Sequence, residues 1–360
     1  MNHKTEPVQN RRRRAVAYAG NVRQGTWGWA RGHHLAIAGA ISLILMVAAS
    51  VVTLPWSVRW FNVQGLDSAV RHPPSMMPVV AFEHYSAASA TPNTSDRSRV
   101  LKPAPREELT RFVHRATSWC GHDDLGRSLL FRLLPAFLVS LAIGAVAALM
   151  AVGIGVAWGA AAALAGGRVD LVMMRIVDVL YGLPYVLMVI LLKMALTPWL
   201  TSLFGGHSLY ADLAVLLIAI GGVSWLTMAR VVRGQVLSLR AEPFVEAARA
   251  AGAGPFHIFR RHLLPNLIGP VTTYATLVVP QAMLQESFLS FLGIGVQAPT
   301  PSLGRLAADG VEAVNTFVGY WWLIVFPCGI LVVTLLALNF IGDSLRDAFD
   351  PKSRVHGPAL

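Results

Sequence analysis

The stretch Pro135-Ala-Phe-Leu-Val-Ser-Leu-Ala-Ile-Gly-Ala-Val-Ala-Ala-Leu-Met-Ala-Val-Gly-Ile-Gly-Val-Ala-Trp-Gly-Ala-Ala-Ala-Ala-Leu164 lies between Arg132 and Arg168, with no charged residue between those two arginines. A helix that crosses about 30 Å of hydrocarbon needs about 20 apolar residues, because every backbone group must be bonded within the segment. This run exceeds that length. Its glycines, Gly144, Gly153, Gly155 and Gly159, suit the close helix packing that substitutes for a hydrophobic driving force in lipid. The run therefore reads as a membrane-spanning helix.

The rest of the chain agrees. Of 360 residues, 54% are hydrophobic and only 14% charged, against about a quarter charged in ordinary soluble domains. Five further runs are long and apolar enough to span: Leu35–Pro55, Leu171–Leu196, Leu213–Met228, Leu263–Leu284 and Trp322–Ile341. The expected fold is an all-α polytopic helical bundle of about six transmembrane helices. The first run follows the basic stretch Arg11–Arg14. It lacks a small-residue cleavage site after Pro55, and so is read as a retained helix rather than a signal peptide. Pro270 and Pro280 predict kinks in the fifth span.

The net charge of +11 points to lipid rather than nucleic acid. The arginines sit beside apolar runs, where cationic flanks set membrane orientation, and no nucleic-acid module is present. The amino terminus, the Arg168–Arg175 turn, the Arg230–Arg261 loop and the tail after Gly342 are arginine-rich. The connections Thr197–Ala211 and Glu286–Trp321 hold one positive residue, Arg305. Both termini are thus expected in the cytoplasm.

The expected organisation is a cytoplasmic basic tail over 1–34, a first span over 35–55 and an extracytoplasmic segment over 56–134. A membrane core over 135–342, with a cytoplasmic loop at 229–265, is followed by a cytoplasmic tail over 343–360. In the outer segment, Ala87–Arg99 reads as a flexible stretch. Leu109, Phe112, Val113 and Ala116, and then Leu125, Leu129, Arg132 and Leu133, fall at helical spacing. Amphipathic helices on the membrane surface and a small packed cap both fit this pattern.

The cytoplasmic loop carries the most information. Glu246-Ala-Ala-Arg-Ala-Ala251 is made of strong helix formers. Gly252 and Gly254 end that helix, Pro255 opens a second one, and Pro265 marks re-entry into the membrane. The small alanine surface allows close approach by another protein, to which Glu246 and Arg249 present a charge pattern. An ordinary amphipathic connector lying on lipid headgroups would satisfy the same physical features.

Glu246-Ala-Ala, three residues, Gly252, nine residues, then His262-Leu-Leu-Pro265 resembles the EAA loop of ABC importer permeases, with His262 where that loop carries Ile. Four more stretches resemble the dipeptide, oligopeptide and nickel branch of that family. They are Gly121-His-Asp-Asp-Leu-Gly-Arg-Ser128; Met174-Arg-Ile-Val-Asp178 with Pro184; Glu286-Ser-Phe-Leu-Ser-Phe-Leu-Gly293 with Gly295–Gly304; and Asn339-Phe-Ile-Gly-Asp343 with Arg346, Asp347, Asp350 and Pro351. Departures fall at His122, Ser128 and Leu303, where the family carries Thr, Asp and commonly Trp. The segment before Gly121 is also longer than the family norm.

The resemblance implies an ABC type I importer permease fold, with the Glu246 loop as the coupling helix docked on an ATP-hydrolysing subunit. Glu246, Ala247, Ala248 and Gly252 would form the contact, and Arg249, Gly254 and Pro265 belong to the same loop. It also implies the partners: ABC ATPase subunits, a second homologous permease, an extracytoplasmic substrate-binding protein and a peptide substrate, with nickel or another small solute as the alternative cargo. The chain has no Gly-x-x-x-x-Gly-Lys-Ser/Thr loop, so ATP and its magnesium would belong to the ATPase subunits.

No catalytic or metal site is expected. Asp123 and Asp124 read as a cap for a helix starting near Leu125 rather than an acid–base pair. Cys120 and His122 are too few for a metal site. Glu286 and Asp178 are pathway candidates. Lys193 either shares that role or snorkels to the surface, and Glu286 either lines the path or only fixes the segment to Gly304. A stand-alone secondary transporter would need ionisable or broken-helix sites in repeated halves, and would leave the Glu246 loop unexplained. A membrane-embedded enzyme would need paired catalytic groups that the spans do not offer.

Overall fold

The computed structural model describes residues 34–60, 73–74, 119–205, 208–298, 300–313 and 320–349. The basic tail before His34, the Ala87–Arg99 stretch, the Arg106–Ala116 pattern and the tail after Phe349 lie outside the described residues. Six helices are long and apolar enough to cross a membrane: α1 (His34–Trp60), α2 (Leu129–Ala165), α4 (Tyr185–Leu203), α5 (Ser208–Arg240), α8 (Leu264–Phe291) and α10 (Trp322–Phe349). Shorter helices lie between them: α3 (Gly167–Tyr181), α6 (Pro243–Ala250), α7 (Pro255–Ile258) and α9 (Leu303–Ala313). Among the described residues there is no strand beyond one isolated bridge, His122 to Ser128.

The first span starts and ends close to expectation, but the third does not. The run Leu171–Leu196 is broken at Gly182-Leu183-Pro184, and the spanning helix begins at Tyr185. Proline cannot donate into a continuing helix and pushes the preceding residue to extended backbone. The piece before the break, α3, carries Arg168, Asp170, Arg175 and Asp178, and these belong at a membrane surface.

The fourth and fifth spans extend past their apolar cores. α5 continues to Arg240, so Arg230–Arg240 is helix and not loop. The fifth span is entered through α7 and a wider π-type turn, Phe259–Leu263, so helix precedes Pro265. The wide turn fits the proline, which has no N–H for the usual i→i−4 bond. α8 then runs unbroken past Pro270 and Pro280.

α2 is the centre of the bundle and packs on α1, α5, α8 and α10. Its glycines permit the approach to α5. A Cβ on Gly155 would stand 2.5 Å from the Met228 Cβ, and one on Gly159 would collide with the Ala229 carbonyl. Gly144 similarly faces Val279 and Met283 of α8, whereas Gly153 faces open space. Three of the four glycines thus serve the packing expected of them. Between the helices, Ile143, Ala147, Val189, Leu216 and Ile220 form one buried apolar cluster, and Ala163, Val232, Val245, Ile258, Leu263 and Leu267 form another.

The alternation of the six long helices sorts the connections into two ends. Residues 119–128, the end of α4, α9 and the start of α10 lie at one end. α3, α6, α7 and the carboxyl end of α5 lie at the other. Contacts across the chain agree: Arg132 pairs with Asp309 at the first end, and Asp170 with Arg233 at the second.

Candidate functional site

α6 is a short helix built for display. Pro243 opens it with the φ that helices require, and Glu246 in its first turn and Arg249 in its last complement the helix dipole. Only one of its side chains is buried. Val245 packs among Val232, Val236, Ile258 and Leu263, a burial that contributes about 1.5–3 kcal/mol. That anchor turns the opposite face outward, leaving Glu246, Ala247 and Arg249 exposed and Ala248 half-buried.

The turn that follows is fixed by backbone bonds. Ala251 and Gly252 donate to Ala247 and Arg249, and Ala253 donates to Ala248. Gly252 has φ +84°, where a side chain would be strained. Gly254 has φ −70° and precedes α7 in extended backbone, so Gly252 ends α6 while Gly254 starts the next helix. Gly252, Gly254 and Pro265 are all exposed. The predicted loop residues from Glu246 to Gly254 thus form one accessible knuckle at the arginine-rich end, while Pro265 stands in the first turn of α8.

Two residues of this knuckle were not singled out from sequence. Phe244 is 40% exposed and Phe256 73% exposed. Each follows the proline that opens its helix, and the repeated Pro-Phe pair, Pro243-Phe244 and Pro255-Phe256, is the signal that marks them. Phe244 also lies 6.3 Å from the His262 ring, which lies 6.4 Å from His257.

Asp178 stands on α3 and accepts a hydrogen bond from Arg230 at 2.9 Å. The Arg230 guanidinium also sits 4.1 Å from the Tyr181 ring centre. One turn away, Arg233 donates two bonds of 2.6 Å to Asp170. That bidentate partner holds the Asp170 carboxyl below its ordinary range. Arg240 in turn donates to the Ala163 carbonyl at the end of α2. α3 and the arginine-rich end of α5 are thus cross-tied beside the knuckle, and Asp178 belongs to those ties.

Glu286 is placed differently, with 0% exposure inside the bundle. Ser140 of α2 donates to its Oε2 at 2.8 Å and Ser290 to its Oε1 at 2.7 Å. Those serines accept in turn, Ser140 from the Leu303 N–H and Ser290 from the Val296 N–H. The carboxyl so ties α8 to α2 and to the segment that runs into α9. Lys193 donates to the Ile294 carbonyl of the same segment at 2.6 Å.

Asp123 does not cap a helix at Leu125. Residues 124–126 form a turn and α2 starts at Leu129. One Asp123 oxygen accepts the Leu125 and Arg127 N–H groups, and the other accepts Arg127 Nε and Arg132 Nη1 at 2.7 and 2.6 Å. The carboxylate is worth more to a buried arginine than to a helix end. For the same reason Leu125, Leu129 and Leu133 are not a surface helix: the last two are core residues of α2. Half-buried beside this turn, Cys120 has its thiol pushed up to about 11 by desolvation. No group of three metal-ligating side chains occurs among the described residues.

Residues 151–355 match the family described as binding-protein-dependent transport system inner membrane component. The chain is 43% identical over 251 residues to the dipeptide transport system permease protein DppC of Bacillus subtilis, covering 69% of this chain and 74% of that protein. It is 46% identical over 260 residues to the oligopeptide transport system permease protein OppC of Salmonella typhimurium, covering 68% and 81%. A solved chain of the MetNI methionine ABC transporter, in an inward-facing conformation, shares the fold at a TM-score of 0.50 with 19% identity. That match covers 62% of this chain and 98% of that one.

Proposed function

This chain belongs to the family of binding-protein-dependent transport system inner membrane components, and on that premise we propose that it is the peptide-transporting permease subunit of an ABC importer. It is a multi-pass inner-membrane protein that forms half of a translocation pore and couples to a separate ATPase subunit. Peptide is favoured over nickel or another small solute because the similar relatives carry dipeptide and oligopeptide names.

The observation that carries the coupling role is the exposed knuckle on α6. A helix with one buried side chain, a rigid glycine turn and two exposed phenylalanines is poorly explained as a connector and well explained as a surface awaiting a partner. Glu246, Ala247, Ala248, Arg249 and Gly252 would meet the ATPase subunit, with Gly254 and Pro265 holding the flanking backbone. The arginine-rich end is then cytoplasmic, which places both termini inside. ATP and magnesium act on the partner chain. Closure of two ATPase subunits would push on α6 and, through α7 and the turn Phe259–Leu263, on α8. Such a push moves a two-state bundle between inward- and outward-open forms. A second, homologous permease completes the pore, and an extracytoplasmic binding protein delivers the cargo.

The secondary-transporter reading weakens on the same structure. Glu286 and Lys193, two ionisable groups on spanning helices, are engaged by protein partners inside the bundle. The test is gentle purification from native membranes, followed by reconstitution with the co-purifying chains. A second permease and Walker-type ATPases should co-purify, and the assembly should take up peptide only with ATP. A chain that comes out alone and transports without ATP would overturn the proposal.

A further inference from the structure

An exposed side chain on a spanning helix faces lipid, another protein chain or water. Its chemistry separates the first from the rest, because hydrocarbon offers no hydrogen-bond partner. Every exposed residue of α1 over 35–55, α2 over 142–161, α4 over 187–195 and α10 over 325–336 lacks a polar side chain. Those surfaces suit lipid tails.

Three exposed residues of α5 and α8 differ: Thr227, Tyr274 and Gln281. Thr227 is the one exposed residue of α5 between Ala211 and Arg230. Tyr274 and Gln281 both lie in the middle third of α8, where a polar group open to lipid is costly. All three line one cleft of about 400 Å³ between α4, α5 and α8, and no Asp, Glu, Lys or Arg lines it. The cleft reaches from Gln281 to Tyr181, whose ring centre lies 4.1 Å from the Arg230 guanidinium at the arginine-rich end. Polar surface thus continues from mid-span to a charged end of the bundle on this face.

Resting on the permease reading above, we propose that the α4–α5–α8 face lines an aqueous pathway for cargo, with the second permease as its opposite wall, while the α1–α10 side faces lipid. Water supplies the hydrogen bonds that Gln281 and Thr227 would lack in hydrocarbon. An uncharged wall passes cargo of either charge without trapping it. Because the cleft reaches the arginine-rich end, this form of the chain is open on that side.

The test uses the assembled transporter in liposomes, carrying in turn Gln281→Cys, Thr227→Cys, Val332→Cys and Ile44→Cys. Val332 and Ile44 are 53% and 65% exposed, in the middle thirds of α10 and α1. A charged, water-soluble thiol reagent is supplied on both faces of the membrane, and labelling is read residue by residue by mass spectrometry. Thiols react as thiolates, which apolar surroundings disfavour, so positions 281 and 227 should react roughly 10-fold or more faster than positions 332 and 44. Labelled Gln281→Cys transporter should also lose most of its peptide uptake, because the added group stands in the path, whereas the Val332→Cys and Ile44→Cys transporters should keep theirs. An active transporter in which positions 281 and 227 react no faster than the two controls would overturn the proposal, since that face would then be dry. A parent assembly that holds no second permease, or takes up no peptide, would sink the permease reading itself, and this proposal with it.

Discussion

At one end of the bundle Asp123, Arg132 and Glu286 are buried and saturated with partners, while at the other Glu246 and Arg249 stand exposed on a helix whose one buried side chain is Val245. The two ends spend polar chemistry differently. Around Asp123 and Glu286 the charges and hydroxyls knit α2, α8, α9 and the intervening segments into a fixed structure. Around α6 the polar groups Glu246 and Arg249 face outward. On the proposed coupling role, α6 is the surface that receives force and the opposite end belongs to the body that passes it on.

Substitutions can break this contrast. The largest stability effect is expected at Asp123→Ala, which removes the 2.6 Å partner of the buried Arg132 and leaves it only Asp309 at 3.3 Å. Loss of one partner of a buried pair costs about 3–5 kcal/mol, so thermal unfolding of the purified chain should come at a clearly lower temperature. Glu246→Lys should do the reverse. The folded chain should reach the membrane with its melting temperature unchanged, while ATP-driven uptake falls about 30-fold or more, the factor for a ~2 kcal/mol interface hot spot. Gly252→Trp should behave similarly in uptake, and normal uptake in both variants would remove the coupling role.

Glu286 sharpens the comparison, because a fixing carboxyl and a pathway carboxyl respond differently to one isostere. Glu286→Gln keeps two polar atoms for Ser140 and Ser290 and should retain most uptake and stability. Glu286→Ala leaves those serines unpaired and should destabilise by about 1–3 kcal/mol. Uptake lost in the Gln variant with stability kept would instead make Glu286 a pathway group.

The smallest effect is the pH dependence of the Asp170–Arg233 tie. The Asp170 carboxyl is held below its ordinary value when folded. Its contribution is therefore present above the unfolded carboxylate pKa, about 3.9, and is lost as pH falls through the folded value. The melting-temperature gap between the parent and Asp170→Asn should be visible at neutral pH and close in strong acid.

Most of the bundle was legible in the sequence, because hydrocarbon thickness sets a length that composition reveals. Hydropathy marks where the membrane is rather than where a helix ends, and so α5 ran on to Arg240 unseen. The third span was misplaced because Leu171–Leu196 is apolar enough overall to hide the break at Gly182-Leu183-Pro184. In the loop around Glu246, Gly252 and Pro255 could be read directly, since each has a backbone role that few other residues fill. The saturation of Asp123 could not. Its fourth donor, Arg132, becomes a neighbour only when α2 leaves the turn in a particular direction.

The central claim is that the knuckle around Glu246 and Gly252 is the surface covered by the ATPase. Hydrogen exchange of this chain, measured with and without its ATPase subunits, tests that most directly. The account predicts strong protection of residues 243–258 when the ATPase is added, and little change over 121–132. Unchanged exchange over 243–258 in a complex that has formed would contradict it.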